Sequence, residues 1–216
     1  MIMKFKSYLF DFDGTLVDSM PSYIYAMRRV LDEGNISYGD DLVKTITPLG
    51  YGGTAKYYVE KLGLNLPEDE IVERMKKYAY HEYAHNIEAK AGVIEALKSL
   101  KQKGADLHIL TASPHAVLDV CLGRLGISDL FTNIWSCDDF ETTKANPEIY
   151  KMAAERIGRG VGEVLFLDDN YNAVKTAAKA GMPVCGVYDA SSEEYTDEIR
   201  GVSNYYVRDL REILDF

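Results

Sequence analysis

The spacing of hydrophobic residues changes along the first half of the chain. Residues 7–12 form a short apolar and aromatic run, SYLFDF, which Asp13 and Gly14 end. Such a run before a turn predicts a buried strand. From residue 19 to about residue 88 the pattern instead predicts successive helices broken by glycines and prolines, without a convincing strand. We therefore expect a helical insertion directly after the first strand.

From residue 91 onward, helical and strand-like patterns alternate. Amphipathic stripes predict helices, and a short apolar run typical of a buried strand follows each one. The predicted strands cover residues 107–110, 134–137, 164–167 and 183–188, the last being the closing strand. This alternation predicts an α/β fold with a doubly wound parallel sheet. Residues 1–18 and 89–216 would form its core, and residues 19–88 a small helical domain.

Composition narrows the class of protein. The chain has 216 residues, of which 47% are hydrophobic, and a formal net charge of −10. This charge gives no general attraction to nucleic acid or to an anionic membrane surface. Neither a leader nor a long apolar segment stands out, and the three cysteines are widely spaced, so we expect buried thiols in a cytoplasmic protein. No pattern indicates whether the protein is a monomer or a homodimer.

Polar side chains follow the predicted strands at the points where those strands end. They are Asp11 and Asp13, Thr111 and Ser113, Lys144 in a loop before a helix, and Asp168 and Asp169. The carboxyl ends of parallel strands share one edge of the sheet, where ligands bind. Carboxylate oxygens suit a hard divalent cation, and an ammonium and a hydroxyl suit a phosphate beside it.

Each of these residues also has a simpler interpretation. Ser113 before Pro114, and Asn146 before Pro147, have the pattern of helix N-caps. Lys144 alone would be an ordinary surface lysine. These alternatives stay open at the level of sequence.

A second sequence motif, in the helical segment, resembles a zinc-binding pattern. Residues 81–85 read H-E-x-x-H, the spacing of a zinc pair with a glutamate base. A tyrosine-rich helix explains the same letters without a metal, and we favour that interpretation.

The strand-end residues carry a resemblance to a known family. The run DFDGTLVDS at residues 11–19 resembles the first motif of the haloacid dehalogenase-like superfamily, D-x-D-G-T followed by a link into a cap domain. Residues 111–113 resemble the second motif, Lys144 with Pro147 the third, and residues 168–169 the acidic fourth. All four occur in family order, and residues 19–88 have the length and helical character of the family's cap.

The resemblance implies a role for each residue. Asp11 would be the nucleophile that forms an aspartyl phosphate, and Asp13 the general acid and base. Mg²⁺ would be held by Asp11, Asp169 and the backbone carbonyl of Asp13, while Asp168, where many members have glycine or glutamate, would orient a metal-bound water. The predicted phosphate-binding residues are Thr111, Ala112, Ser113 and Lys144.

The resemblance also narrows the activity. Asp13, which dehalogenases and phosphonatases lack, implies a phosphatase, a phosphoric monoester hydrolase acting on phosphoglycolate, a sugar phosphate or a nucleotide. Sugar-phosphate mutases with this cap usually carry histidine where Tyr23 stands, yet a phosphomutase remains an alternative, as does a non-enzymatic binding or regulatory protein. Specificity would lie in the cap, where Thr47, Tyr51 and Lys56 are the candidates.

Overall fold

The chain forms two compact units. The structure, a computed structural model, describes residues 3–216 apart from the side chain of Pro48. The core unit contains the residues up to Asp18 together with Glu88–Phe216, and the helical unit contains Ser19–Ile87.

The helical unit has four α-helices, and its described residues contain no strand. The helices are α1 (Met20–Glu33), α2 (Leu42–Ile46), α3 (Gly50–Glu60) and α4 (Glu68–His85). Their apolar faces meet in one cluster that includes Val30, Ile71 and Met75. Tyr58 is fully buried there, and its hydroxyl donates a hydrogen bond of 3.1 Å to the carbonyl of Met27. A buried tyrosine hydroxyl needs such an acceptor.

The core unit contains a six-stranded parallel sheet with the order β3-β2-β1-β4-β5-β6. Its strands are β1 (Ser7–Phe10), β2 (Asp106–Thr111), β3 (Asn133–Ser136), β4 (Val164–Asp168), β5 (Val184–Val187) and β6 (Tyr205–Val207). The α-helices of this unit lie between consecutive strands and are α5 (Val93–Gln102), α6 (His115–Leu125), α7 (Glu148–Ile157), α8 (Tyr171–Lys179) and α9 (Thr196–Val202). The predicted α/β fold with a parallel sheet is confirmed.

One expectation about the sheet is wrong. Residues 183–188 were expected to close it, but β5 pairs on its outer side with β6, in a register that sets Cys185 opposite Tyr205. A three-residue strand is too short to show a period in the sequence, and its place depends on pairing with β5.

The strand order reverses beside β1, and this reversal defines the place for a ligand. β2 and β3 lie on one side of β1, whereas β4, β5 and β6 lie on the other. Phe10 is opposite Leu167 in the register of β1 and β4, and the amide of Asp11 donates a 2.8 Å hydrogen bond to the carbonyl of Leu167. Asp11 and Asp168 are therefore neighbours at the carboxyl ends of these strands. Crevices at such a reversal bind ligands in open α/β sheets.

Two expectations from composition can be compared with the structure. Cys121, Cys137 and Cys185 are free and buried, as predicted. Among the described residues, no helix combines the length and the apolar character needed to span a bilayer.

Candidate active site

Three carboxylates meet at the reversal of the strand order. Asp11, Asp168 and Asp169 are 5%, 1% and 7% exposed, and one oxygen of each lies within 4.8 Å of the others. Among the described residues, these three side chains form the group of acidic, histidine or cysteine residues whose possible ligand atoms are close enough to hold one metal ion. The structure thus brings together three of the four predicted metal-binding residues.

Lys144 supplies the positive charge at this cluster. Its ammonium contacts the carboxylate of Asp11 and donates a 2.8 Å hydrogen bond to Oδ2 of Asp168, and the side chain is only 13% exposed. Tyr150, fully buried on α7, holds the loop: its single hydroxyl proton is shared between the carbonyl oxygens of Lys144, at 3.0 Å, and Ala173, at 3.1 Å. The surface-lysine interpretation of Lys144 is therefore wrong.

The cluster carries more negative than positive charge. Burial is the main reason why the pKa of Asp11 is raised to about 8; Lys144 opposes this shift, whereas Asp168 and Asp13 add to it. Burial, followed by the charges of Asp168 and Asp11, also raises the pKa of Asp169 well above its ordinary value. Removing carboxylates from water beside one another disfavours their charged forms. A bound cation would relieve both effects.

The second motif lies against Asp13. Ser113 Oγ donates a 2.5 Å hydrogen bond to Oδ2 of Asp13, and the amide of Ser113 donates a 3.0 Å bond to Oγ1 of Thr111. Ala112 between them is exposed. Helix α6 begins at His115 without a side-chain cap, so the N-cap interpretation of Ser113 is wrong.

In the third motif, the side chain of Asn146 contacts the start of the following helix. Asn146 Oδ1 accepts a 3.1 Å hydrogen bond from the amide of Glu148, the first residue of α7, although Pro147 and not Asn146 occupies the N-cap position. The loop that carries Lys144 is thus fixed on its way into the helix.

Sequence reasoning assigned no role to the residues that hold Asp169. Thr15 Oγ1 donates a 3.0 Å hydrogen bond to Oδ1 of Asp169. Gly14 has φ +79°, and a Cβ atom there would lie 2.6 Å from Oδ2 of Asp169. The glycine and threonine of D-x-D-G-T therefore form a close-fitting wall around this carboxylate. The position of Gly14 and Thr15 in D-x-D-G-T could have indicated this role. No sequence pattern indicated that Tyr150 holds the loop of Lys144.

The predicted cap residues lie in the helical unit. Tyr51 packs against Tyr23, with ring centroids 6.4 Å apart. Lys56 forms an exposed ion pair with Glu60, in which Nζ and Oε1 are 3.8 Å apart. Thr47 donates a 2.7 Å hydrogen bond to the carbonyl of Val43. Their part in specificity stays a prediction.

The H-E-x-x-H letters lie at the end of α4. Glu82 is buried and accepts hydrogen bonds of 3.0 Å from Asn86, whereas His81 is exposed. The buried carboxylate thus already has a local partner within the helical unit.

Comparisons with known proteins agree with this geometry. A 30% identical relative, a phosphoglycolate phosphatase of Yersinia pestis, aligns over 86% of this chain and 83% of its own. A phosphorylated carbohydrates phosphatase of Thermotoga maritima is 27% identical over 82% of each chain. A crystal structure from Thermotoga maritima, whose proposed identity is a β-phosphoglucomutase, matches with a TM-score of 0.86 at 25% identity over 97% of both chains.

The parallel sheet with acidic residues at its point of reversal defines an α/β enzyme with a buried carboxylate site. The pattern of the haloacid dehalogenase-like hydrolase family matches residues 8–187. The chain belongs to this family, as its four motifs predict.

Proposed function

We propose that the protein is a magnesium-dependent phosphatase that hydrolyses a small phosphorylated metabolite. The observation that supports this proposal best is the pairing of two carboxylates with different surroundings. Asp11 is buried within the acidic cluster and contacts Lys144, while Asp13 accepts a hydrogen bond from Ser113. Two carboxylates held two residues apart can divide the tasks of nucleophile and acid.

The reaction runs in two balanced steps. The carboxylate of Asp11 attacks phosphorus, the bond from phosphorus to the ester oxygen breaks, and Asp13 gives its proton to the departing alcohol. Asp13 then takes a proton from water as that water attacks phosphorus. The bond between phosphorus and Asp11 breaks, so inorganic phosphate leaves and both side chains return to their initial state. Splitting one substitution into two lowers the barrier of each.

The donor set fits a small hard cation. Three buried carboxylates lie together, and the one ammonium beside them contacts only Asp11 and Asp168. Oxygen ligands of this kind are those that Mg²⁺ prefers. Asp11, Asp169 and the carbonyl of Asp13 would hold the ion, and Asp168 would orient a coordinated water. When bound, Mg²⁺ supplies the positive charge that lets an anionic nucleophile approach an anionic phosphate.

Lys144 and the second motif would hold the transferring group. Lys144 offers a buried cation, and the Thr111 hydroxyl offers a donor at the end of the adjacent strand, with Ala112 and Ser113 beside it. Residues 19–88 would act as the cap, with Thr47, Tyr51 and Lys56 contacting the part of the substrate that leaves.

Phosphate release from an aryl phosphate tests the chemistry. We expect Mg²⁺-dependent release by the unaltered protein and its loss in Asp11→Asn and Asp13→Asn. Asp129→Asn, at an exposed site of the core unit, serves as the matched control and should keep full activity. Release that persists in Asp11→Asn would contradict the proposed nucleophile.

The substrate is best sought with a panel of phosphorylated metabolites. The names of the relatives point to phosphoglycolate and to sugar phosphates as the first compounds to test. We expect one compound to be hydrolysed at least about tenfold more efficiently than the others, since cap contacts act on the leaving group.

A phosphomutase is the second candidate. The similarity to a structure whose proposed identity is a β-phosphoglucomutase favours testing it. Incubation of a sugar monophosphate with catalytic amounts of the bisphosphate would then yield an isomeric monophosphate, whereas a phosphatase yields free sugar and inorganic phosphate.

A further inference from the structure

Lys90 lies where the chain returns to the core unit. Its amide donates a 3.0 Å hydrogen bond to the carbonyl of Leu16, and the neighbouring Ala89 pairs with Val17 in an antiparallel bridge. The backbone around Lys90 is therefore tied to the segment that follows Asp13. None of the four motifs includes this lysine.

The side chain of Lys90 makes three hydrogen bonds. Its ammonium donates to the carbonyls of Gly14 at 2.5 Å and Tyr188 at 2.6 Å, and to Oδ2 of Asp189 at 2.9 Å. Three protons are all that a lysine ammonium can donate. Asp189 is itself fixed, because its Oδ1 accepts from the amide and the hydroxyl of Ser191. Lys90 therefore joins the loop after β1 to the loop after β5.

The carbonyl of Gly14 belongs to the peptide that links Gly14 to Thr15, and both residues touch Asp169. A Cβ at Gly14 would overlap the Asp169 carboxylate, and Thr15 Oγ1 donates to Oδ1 of the same group. A rotation of this peptide would move the Thr15 hydroxyl and the wall formed by Gly14 together. The bond from Lys90 opposes that rotation.

We propose that Lys90 is a positioning residue that orients Asp169 for metal binding by holding the peptide between Gly14 and Thr15. The inference rests on the proposed function in one respect, namely that Asp169 is a metal ligand. Lys90 touches no reacting group. It acts through Gly14 and Thr15 on the orientation of the Asp169 carboxylate. Residues that orient a metal ligand in this way change the affinity for the metal.

Calorimetric titration of Mg²⁺ into the substrate-free protein measures this role directly. Lys90→Met keeps the length of the side chain and removes its donors, and we expect the Kd for Mg²⁺ to rise about tenfold. At saturating Mg²⁺, kcat and KM should stay within about twofold of the unaltered values, because the site is restored once filled. Lys98→Met, on the exposed side of α5, is the matched control and should leave the Kd unchanged.

A double-mutant cycle tests the route through the loop. Thr15→Val removes the hydroxyl that bonds Asp169, so its effect on the Kd and that of Lys90→Met should not add, because both act on one carboxylate. Additive effects, or an unchanged Kd in Lys90→Met, would overturn the inference. If Lys90→Met does not fold, Lys90→Leu, which also removes every donor, is titrated in its place, and an unchanged Kd again contradicts the role.

The outcomes separate this inference from the proposed function. If the unaltered protein binds Mg²⁺ but releases no phosphate from any substrate, the phosphatase proposal fails while the role of Lys90 in metal binding can stand. If the protein releases phosphate and Lys90→Met shows only a lower melting temperature with the same Kd, Lys90 is merely structural.

Discussion

Ser113 Oγ donates a 2.5 Å hydrogen bond to Oδ2 of Asp13, although one hundred residues separate the two in the chain. The bond joins the end of the first strand to that of the second, since β1 and β2 are adjacent in the sheet. Ser113 therefore orients the proposed acid, in addition to any contact with phosphate.

Removing this bond should slow catalysis more than it weakens binding. We expect Ser113→Ala to lower kcat by about tenfold or more, because a hydrogen bond to a charged group contributes about 1.5–3 kcal/mol. KM should change little if the bond serves orientation alone. Steady-state kinetics on the best substrate measures both constants.

Ser113→Thr, which keeps the hydroxyl, is the matched variant and should retain most of the activity. A fall in kcat of equal size in both variants would contradict the orienting role.

Lys144 should stabilise the fold more than an exposed lysine does. Lys144→Met leaves buried carboxylates without their cation, and we expect the free energy of unfolding to fall by about 3 kcal/mol in metal-free buffer. Lys151→Met, which breaks an exposed pair with Glu148 on α7, should cost less than about 1 kcal/mol. Urea unfolding in the presence of a chelator compares them. Equal losses would show that the Lys144 contacts add nothing to stability.

Replacing Gly14 should affect both the stability of the fold and the binding of Mg²⁺, for two separate reasons. Gly14→Ala imposes a left-handed φ on a residue with Cβ and pushes that atom into Asp169. Gly104 has a similar φ of +84°, with nothing near its missing side chain. Gly104→Ala should therefore cost only the backbone strain of about 1–2 kcal/mol.

Only Gly14→Ala should also weaken Mg²⁺ binding, since only there does the added atom displace a ligand. Calorimetry with the metal and thermal unfolding of both variants distinguish the two effects. Unaltered Mg²⁺ affinity in Gly14→Ala would contradict the contact with Asp169.

The acidic cluster should make stability depend on pH and on metal. Burial and neighbouring charges raise the pKa of Asp11 to about 8 and that of Asp169 above its ordinary value. A carboxyl pKa raised by folding gives stability that is fully present below the unfolded value of about 4, and that is lost as the pH rises through the folded value. The metal-free protein should therefore lose stability as the pH rises from about 4 to about 8.

Mg²⁺ should act in the opposite direction, because it binds the deprotonated carboxylates. We expect the increase in melting temperature on adding Mg²⁺ to be larger at about pH 8 than at about pH 6. Thermal unfolding with Mg²⁺ or with chelator measures the difference, and Asp169→Asn should reduce it. A metal-induced increase that is the same at both pH values would contradict a role for these raised pKa values.

The sequence by itself determined the class of fold, and it predicted the residues of the site. Local spacing carries this information: alternation of helical and strand-like periods predicts a parallel sheet, and the apolar run of residues 7–12 predicts a buried strand that stops at Asp13 and Gly14. The four motifs in family order then predicted a haloacid dehalogenase-like hydrolase, and the match to residues 8–187 bears this out.

Other features depended on contacts between distant parts of the chain. The strand β6 is too short for a periodic signal, and its position follows from pairing with β5. Whether Ser113 was only a helix cap, and whether Lys144 was only a surface lysine, was undecided because the simple interpretation and the site interpretation fit the same local pattern. The tertiary structure decided them, since adjacent strands bring their ends within hydrogen-bonding distance.

Lys90 is the clearest example of a residue whose role depends on contacts with distant parts of the chain. In the sequence it is one lysine among many, without a motif or a period around it. Its three acceptors lie 76, 98 and 99 residues away, so no local pattern could indicate them. Sequence determines which elements form because their preferences are local, whereas the partners of a single polar side chain are set by the packing of the whole sheet.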